Sequence, residues 1–207
     1  MLIIFEVAAI IAFAVSGLIE SVRKRMDIVG IFTVAFVTAF GGGTLRDLLL
    51  DRRPFFWVQH QEYVWLVLAL ALIGPLLLRV LQHRLVDRTM TVTDALGLGL
   101  FTVSGASFAM AAEMPIIVVA MMGVITGVFG GVLRDVLCNE IPLVFHDHRP
   151  YALCAAFGSA VFIGLHALAL EPWIVLTGGA ATATGLRLLA LALDWRIPPW
   201  PKDSGLL

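Results

Sequence analysis

The sequence predicts an all-α integral membrane protein whose seven transmembrane helices form an inverted 3+3 repeat followed by a seventh helix. Three observations predict this class. Of the 207 residues, 60% are hydrophobic and 14% are charged, and the mean hydropathy is +0.96, which exceeds what a soluble domain needs for its core. Seven apolar runs each approach the roughly 20 residues that a bilayer core about 30 Å thick requires. The first part of the chain also recurs in the second.

The apolar runs are separated by prolines, charged residues or short polar turns. In the first run, 2–20, the positive charges follow the apolar stretch. A cleaved signal peptide has the opposite order, so we expect a retained spanning helix. The other runs lie at about 28–50, 63–80, 92–111, 115–138, 151–170 and 173–193. The tail at 198–201, Pro-Pro-Trp-Pro, is expected to be extended along the interface.

Lysine and arginine residues outside the spans predict the orientation. With the N-terminus outside, only Arg52 and Arg53 remain on the outer side. The cytoplasmic side then collects Arg23, Lys24, Arg25, Arg84, Arg88, Arg149, Arg196 and Lys202. Because cytoplasmic loops carry an excess of positive residues, the count predicts an outer N-terminus and a cytoplasmic C-terminus.

A shift of 88 residues aligns the two parts of the chain without a gap. Between residues 6 and 63, 16 of 58 positions are identical to their partners, which indicates a duplication. We therefore divide the chain into a first repeat, 1–88, a second repeat, 89–170, and a seventh helix with its tail, 171–207. Each repeat holds three spans, so the second should enter the membrane with the opposite orientation.

The duplicated motif is Gly41–Asp47, with the sequence GGGTLRD, and Phe129–Asp135, with the sequence FGGVLRD. Both copies lie within spans, where clustered glycines weaken a helix. We expect the second and fifth helices to be broken there, with freed carbonyls lining a cation path. Close helix packing is the alternative explanation of such glycines. The glycines concerned are Gly41, Gly42, Gly43, Gly130 and Gly131.

Arginine and aspartate follow each glycine cluster, at Arg46-Asp47 and Arg134-Asp135. Charges inside a membrane are expensive and usually functional. They could be charged gates, with Arg46 toward the outer mouth and Arg134 toward the inner mouth. They could equally be buried ion pairs that fix the fold. Adjacent residues point about 100° apart on a helix, so neither arginine needs to pair with its neighbour.

Further polar residues also match between the repeats. Glu6 and Asp94 begin their spans, where they could stabilise helix N-termini, with Thr93-Asp94 as an N-cap, or act as acidic lips that concentrate cations. Hydroxyl groups within the spans could contact a hydrated ion or bond their own backbone. These hydroxyl residues are Ser16, Ser104, Thr38 and Thr126.

Several function classes lack support in the sequence. The formal net charge of −1 offers no basic surface for nucleic acid. No catalytic triad or metal-ligand spacing is present, so we predict neither an enzyme nor a bound cofactor. The two cysteines, Cys138 and Cys154, are expected to be packing thiols.

The doubled motif, the following Pro54 and Pro142, and the 3+3+1 arrangement resemble the bacterial branch of the trimeric intracellular cation (TRIC) channels. The resemblance covers about residues 5–193. It implies a homotrimer in the lipid of the bacterial inner membrane. Each protomer would have its own pore, lined by the kinked second and fifth helices with the first and fourth. Potassium and other monovalent cations such as sodium would permeate, and the implied orientation is the one that the charge count predicts.

This chain departs from the animal relatives of that family, which carry a lysine-bearing motif at the kink. Phe129 also stands where the first repeat has Gly41, so the two kinks can differ. A second function remains open, because inverted repeats with broken helices also occur in transporters. A carrier of a small zwitterion such as glycine could use a half-helix N-terminus for the carboxylate and an acidic residue for the amine.

Overall fold

A computed structural model gives the fold of residues 1–80, 83–146 and 148–198, and the described part of the chain is helical without strands. Two of its helices, at 56–59 and 143–146, are short and were not predicted. The helices are α1 (Leu2–Arg23), α2 (Ile28–Leu49), α3 (Phe56–Gln59), α4 (Gln61–Val80), α5 (His83–Ala111), α6 (Ile116–Leu137), α7 (Leu143–His146), α8 (Ala152–Ala167) and α9 (Pro172–Ala192).

The seven longer helices correspond to the seven predicted spans. Six of them are long and apolar enough to cross a membrane, and α8 is an apolar helix of 16 residues, about 24 Å long at 1.5 Å per residue. The largest difference is at α5, which begins nine residues before the predicted run. Its polar first turns extend the helix beyond the apolar stretch, so the predicted repeat boundary at 88–89 falls inside it. The tail from residue 199 lies outside the described residues.

Six long helices end in the same way. Two positions after the last helical residue, a residue with φ between 49° and 56° reverses the chain. This left-handed conformation stops a helix and lets the backbone satisfy its last carbonyls. None of these residues is glycine and one is asparagine, so most of these helix ends carry no residue that usually marks one. They are Arg25, Asp51, Glu113, Asn139, Ala169 and Asp194.

Four helices, α1, α2, α5 and α6, form the centre of the bundle. Repeat-related helices pack against each other across it, α1 on α5 and α2 on α6. The helix α4 packs on α1 and α2, the helix α8 packs on α5 and α6, and the helix α9 packs on α5 and α8. Large apolar side chains on the outer faces, such as Trp65 on α4 and Ile117 on α6, are exposed. Such exposed apolar surface is expected of a helix bundle that faces lipid.

Contacts between loops define the two ends of the bundle. We call the end of the bundle that holds the chain's N-terminus the N-terminal end, and the opposite end the C-terminal end. At the N-terminal end, Leu2 and Phe5 pack in one cluster with Leu50 and the α5–α6 turn. At the C-terminal end, the Arg23 and Asp87 side chains are paired, and so are those of Lys24 and Glu140. The first repeat therefore begins at one end of the bundle, and α5 begins at the other.

Candidate functional site

The helices α2 and α6 run through both glycine clusters without a break, so the prediction of broken helices is wrong for this structure. A Cβ atom at Gly42 would lie 2.2 Å from the carbonyl oxygen of Thr126, and one at Gly130 would lie 2.4 Å from that of Thr38. Here α2 and α6 cross with their backbones in direct contact, which only glycine permits. Close packing is thus the role that the structure gives to these two glycines.

The other glycines of the motif meet different surroundings. A Cβ atom at Gly41 would meet the end of the Leu133 side chain at 2.6 Å. At Gly43 the nearest atom would be an Arg46 nitrogen at 3.9 Å, so this position has space. At Gly131 the Tyr151 hydroxyl would lie at 2.9 Å. Gly43 and Gly131 therefore border the charged groups described next, whereas Gly42 and Gly130 form the crossing.

The Arg46 side chain is fully buried and joins three elements. Its Nη1 donates to Glu6 Oε1 at 2.5 Å and to Ser104 Oγ at 2.7 Å, while its Nε donates to Asp47 Oδ1 at 2.9 Å. Ser104 in turn donates to Glu6 at 3.1 Å. We call these four residues the Arg46 network. Since each charge meets an opposite charge or a hydroxyl, the cost of its burial is offset.

The same arrangement recurs around Arg134, which is also fully buried. Its Nη1 donates to Asp94 Oδ1 at 2.6 Å and to Ser16 Oγ at 2.5 Å, and its Nε donates to Asp135 Oδ1 at 2.9 Å. We call this set the Arg134 network. Each arginine binds two carboxylates of its own repeat and a serine of the other repeat. The two networks therefore tie the repeats together reciprocally.

Each motif aspartate also receives a backbone amide from a short helix. Asp47 Oδ2 accepts from the Phe56 N–H, and Asp135 Oδ2 accepts from the Leu143 N–H, both at 2.9 Å. These amides lie at the first turns of α3 and α7, where N–H groups have no helical partner. Sequence reasoning missed both short helices. The matching prolines, Pro54 and Pro142, were the available signal, because they end the preceding segments at equivalent positions.

The networks decide between several expectations. The buried ion-pair interpretation of both arginines is confirmed, and a role as gates stays a prediction. Each arginine does pair with its neighbouring aspartate, through Nε at 2.9 Å, although helix geometry alone did not require that contact. Glu6 and Asp94 are not N-caps, because Met1 caps α1 and Asp94 lies well inside α5. Both are buried, and their role in concentrating cations stays a prediction.

The two serines and the two threonines predicted to line the path make different hydrogen bonds. Ser16 and Ser104 belong to the arginine networks. Thr38 and Thr126 each donate to a carbonyl four residues earlier in their own helix, both at 2.6 Å. This is the usual backbone bond of threonine in a membrane helix. The threonines therefore have their hydroxyl protons engaged at the α2–α6 crossing.

The residues that contact the two networks from outside are different. At the N-terminal end, the Phe108 ring stacks on Arg46, with the guanidinium carbon 4.1 Å from the ring centroid, and on Arg52, at 3.8 Å. Arg52 also lies 3.7 Å from Asp47. The repeat-related positions are Glu20 and Glu140, both acidic. The duplication alone could not reveal the contacts of Phe108 and Arg52, because the equivalent positions carry glutamates.

Cavities open beside both networks. At the N-terminal end, a cavity of about 240 Å³ is lined by Asp47, Asp51, Arg52, Arg53, Pro54, Phe56 and Gln59. At the C-terminal end, one of about 160 Å³ is lined by Met90, Thr91, Asp94, Leu143, Arg149, Arg187 and Leu191. Each contains a carboxylate of the adjacent network. Among the described residues, no His, Cys, Asp or Glu cluster has the geometry of a metal site.

Comparison with known proteins places the chain in a family. A family model described as "Glycine transporter" matches residues 3–79 and 91–167, two segments whose equivalent positions are offset by the same 88 residues as the internal repeat. A UPF0126 membrane protein of Deinococcus radiodurans is 35% identical over 92% of this chain and 84% of its own length. The UPF0126 inner membrane protein YadS of Escherichia coli K12 is 31% identical over 96% of both.

Solved structures share the whole fold. The TRIC trimeric intracellular cation channel orthologue of Rhodobacter sphaeroides is 36% identical, with a TM-score of 0.87 over 93% of this chain and 98% of that one. A prokaryotic TRIC channel solved in 0.5 M KCl is 28% identical, with a TM-score of 0.87 over 95% and 98%. With near-complete coverage and shared sequence, the chain belongs to the bacterial branch of the TRIC channel family.

Proposed function

We propose that this protein is a potassium-permeable, monovalent cation channel that forms homotrimers with one pore in each protomer. The observation that carries the proposal is the match to the Rhodobacter sphaeroides TRIC channel in both sequence and fold. Membrane-protein and channel relatives agree with the prediction that the chain is not an enzyme. The trimer comes from those relatives, because the described chain is a single protomer.

The charges of the two networks support cation passage. Each contains one guanidinium and two carboxylates, so each has a formal charge of −1 when its groups are ionised. The negative charge of a network would stabilise a cation inside the path and disfavour an anion. The cavities at the two ends also contain arginines, Arg52 and Arg53 at one end and Arg149 and Arg187 at the other, so the preference arises at the networks and not at the mouths. A preference for cations over anions does not require acidic side chains exposed at the entrance. The buried carboxylates act through the field of the whole network.

We place the pore among α1, α2, α5 and α6, with α2 and α6 as its principal lining. The cavities beside the networks would be its two mouths. Between them, the backbone contact of Gly42 and Gly130 closes the path, so the described conformation is a closed one. Opening would require α2 and α6 to separate or bend at this crossing, which their glycines favour.

The chain is a multi-pass membrane protein, and we place it in the bacterial inner membrane with its N-terminus outside. The positive residues predict this orientation. Loop contacts at the two ends support an inverted relation of the repeats, since Arg23 meets Asp87 near the start of α5 while Leu2 lies at the opposite end. The exposed apolar faces of α4 and α6 would contact lipid or neighbouring protomers.

A carrier of a small zwitterion such as glycine is the second candidate, favoured by the description of the matching family model. Such a site needs a carboxylate for the ammonium group. In this structure the four carboxylates predicted for that task, Glu6, Asp47, Asp94 and Asp135, are engaged by the two network arginines. A carrier would therefore have to break a buried ion pair to bind its substrate.

Single-channel recording of the purified protein in a planar bilayer with asymmetric KCl tests the proposal. We expect discrete current steps that reverse close to the potassium equilibrium potential. The matched measurement is radiolabelled glycine uptake into liposomes made from the same preparation. A silent bilayer together with saturable glycine uptake would refute the channel and support the carrier.

A further inference from the structure

A pair of phenylalanine rings lies between the two arginine networks. On α1, Phe13 lies between Glu6 of the Arg46 network and Ser16 of the Arg134 network. On α5, Phe101 lies between Asp94 and Ser104 in the same way. The ring centroids are 5.4 Å apart with an interplanar angle of 40°. Both rings are buried. The pair therefore lies between the two networks along both helices.

The two rings are held very differently, although they occupy equivalent positions of the repeat. A Cβ atom at Gly97 would lie 2.1 Å from the Phe13 ring, and one at Gly130 would lie 2.9 Å from it. Phe13 is therefore wedged against two glycine backbones. The residue equivalent to Gly97 in the first repeat is Ala9, so Phe101 lacks the matching recess.

Phe101 instead borders an empty space. A void of about 10 Å³ lies beside it, together with Glu6, Gly43 and Arg46, and this volume is about what one water molecule needs. On its other side, Phe101 contacts the fixed ring of Phe13. A void of this size admits a small displacement of the Phe101 ring, whereas the two glycine backbones hold Phe13 in place. A larger movement of Phe101 would require the neighbouring side chains to move with it.

We propose that Phe13 and Phe101 form an apolar plug in the pore and that Phe101 is the ring that moves when the pore opens. The proposal rests on the channel function proposed above and adds to it a second barrier besides the glycine crossing. Apolar constrictions block ions because a bare ion loses its hydration there. The fixed ring supplies the surface against which the mobile ring closes.

The test is single-channel recording of Phe101→Ala beside the native protein and Phe162→Ala. Loss of an aromatic pair removes about 0.5–1.5 kcal/mol of contact energy, which corresponds to a rise in the open-to-closed ratio of about twofold to thirteenfold. Phe162 on α8 is equally buried, but it packs with Val175 and Leu176 away from the networks. Phe162→Ala therefore controls for the loss of a buried ring and should leave that ratio unchanged.

The outcomes separate the plug from the channel itself. A conducting native protein with an unchanged ratio in Phe101→Ala overturns the plug and leaves the channel intact. A silent native protein with a conducting Phe101→Ala supports both, whereas silence of both proteins overturns both. If Phe101→Ala does not yield folded protein, Phe101→Leu preserves apolar bulk but removes the ring pair. An unchanged ratio in Phe101→Leu would then overturn the plug.

Discussion

Replacing Gly42 by alanine should destabilise the protein, because α2 and α6 touch through their backbones at this position. The added Cβ atom would lie 2.2 Å from the Thr126 carbonyl oxygen, whereas ordinary contact begins at 3.4 Å. The carbonyl belongs to a helix backbone and cannot rotate away. The helices must therefore separate by about 1 Å at the crossing, one turn from both arginine networks.

We estimate the magnitude from two opposing effects. Overpacking of a buried contact costs up to about 3 kcal/mol, and alanine stabilises a helix by about 1 kcal/mol relative to glycine. The net loss of about 2 kcal/mol corresponds to a decrease of roughly 4–8 °C in the thermal midpoint of a chain of this size. Differential scanning fluorimetry of the detergent-solubilised protein measures this midpoint.

Two glycines provide matched controls for the same substitution. An added Cβ atom would meet only an Arg46 nitrogen at 3.9 Å at Gly43 and nothing within 4 Å at Gly185 of α9. Gly43→Ala and Gly185→Ala should therefore keep or raise the midpoint. If Gly42→Ala and Gly43→Ala have equal midpoints, the close crossing does not hold these helices together and our explanation of the glycine cluster is refuted.

Three further predictions concern charged groups. Arg46→Met leaves two carboxylates buried without their cation and should cost about 3–5 kcal/mol, whereas Lys24→Met breaks an exposed pair and should shift the thermal midpoint far less. Glu6→Gln combined with Asp94→Asn removes one negative charge from each network, so the reversal potential in a KCl gradient should move toward zero; no movement would contradict the proposed source of selectivity. Neighbouring arginines hold the pKa of the exposed Asp194 carboxyl below its usual range. Their stabilisation is therefore present above about pH 4 and is lost as the pH falls further, so Asp194→Asn should reduce the change of the midpoint between pH 5 and pH 3.

Much of the candidate site follows from the repeat. The shift of 88 residues paired Arg46 with Arg134, Glu6 with Asp94 and Ser16 with Ser104, and these residues form the two networks. The sequence did not reveal that the arginine of each repeat binds the serine of the other repeat. Hydrophobic periodicity reports which face of a helix is buried, but it contains no distance between helices.

The sequence also left the role of the glycines undecided. A glycine cluster has the same composition whether it unwinds a helix or lets two helices touch. The decision depends on what lies opposite, and opposite Gly42 is a carbonyl of α6 at contact distance. With the helices pressed together there, the backbone stays helical in this conformation.

By itself, the sequence determined the membrane class, the order of the spans, the duplication and the residues that would carry charge into the membrane. These properties depend on hydropathy, length and self-similarity, which are local or additive along the chain. Only the tertiary structure decided that α2 and α6 continue through their glycines, that each arginine engages two carboxylates and a serine, and that Phe13 is fixed while Phe101 borders a void. Those features depend on which atoms meet across helices, and such contacts are fixed by packing rather than by any single segment.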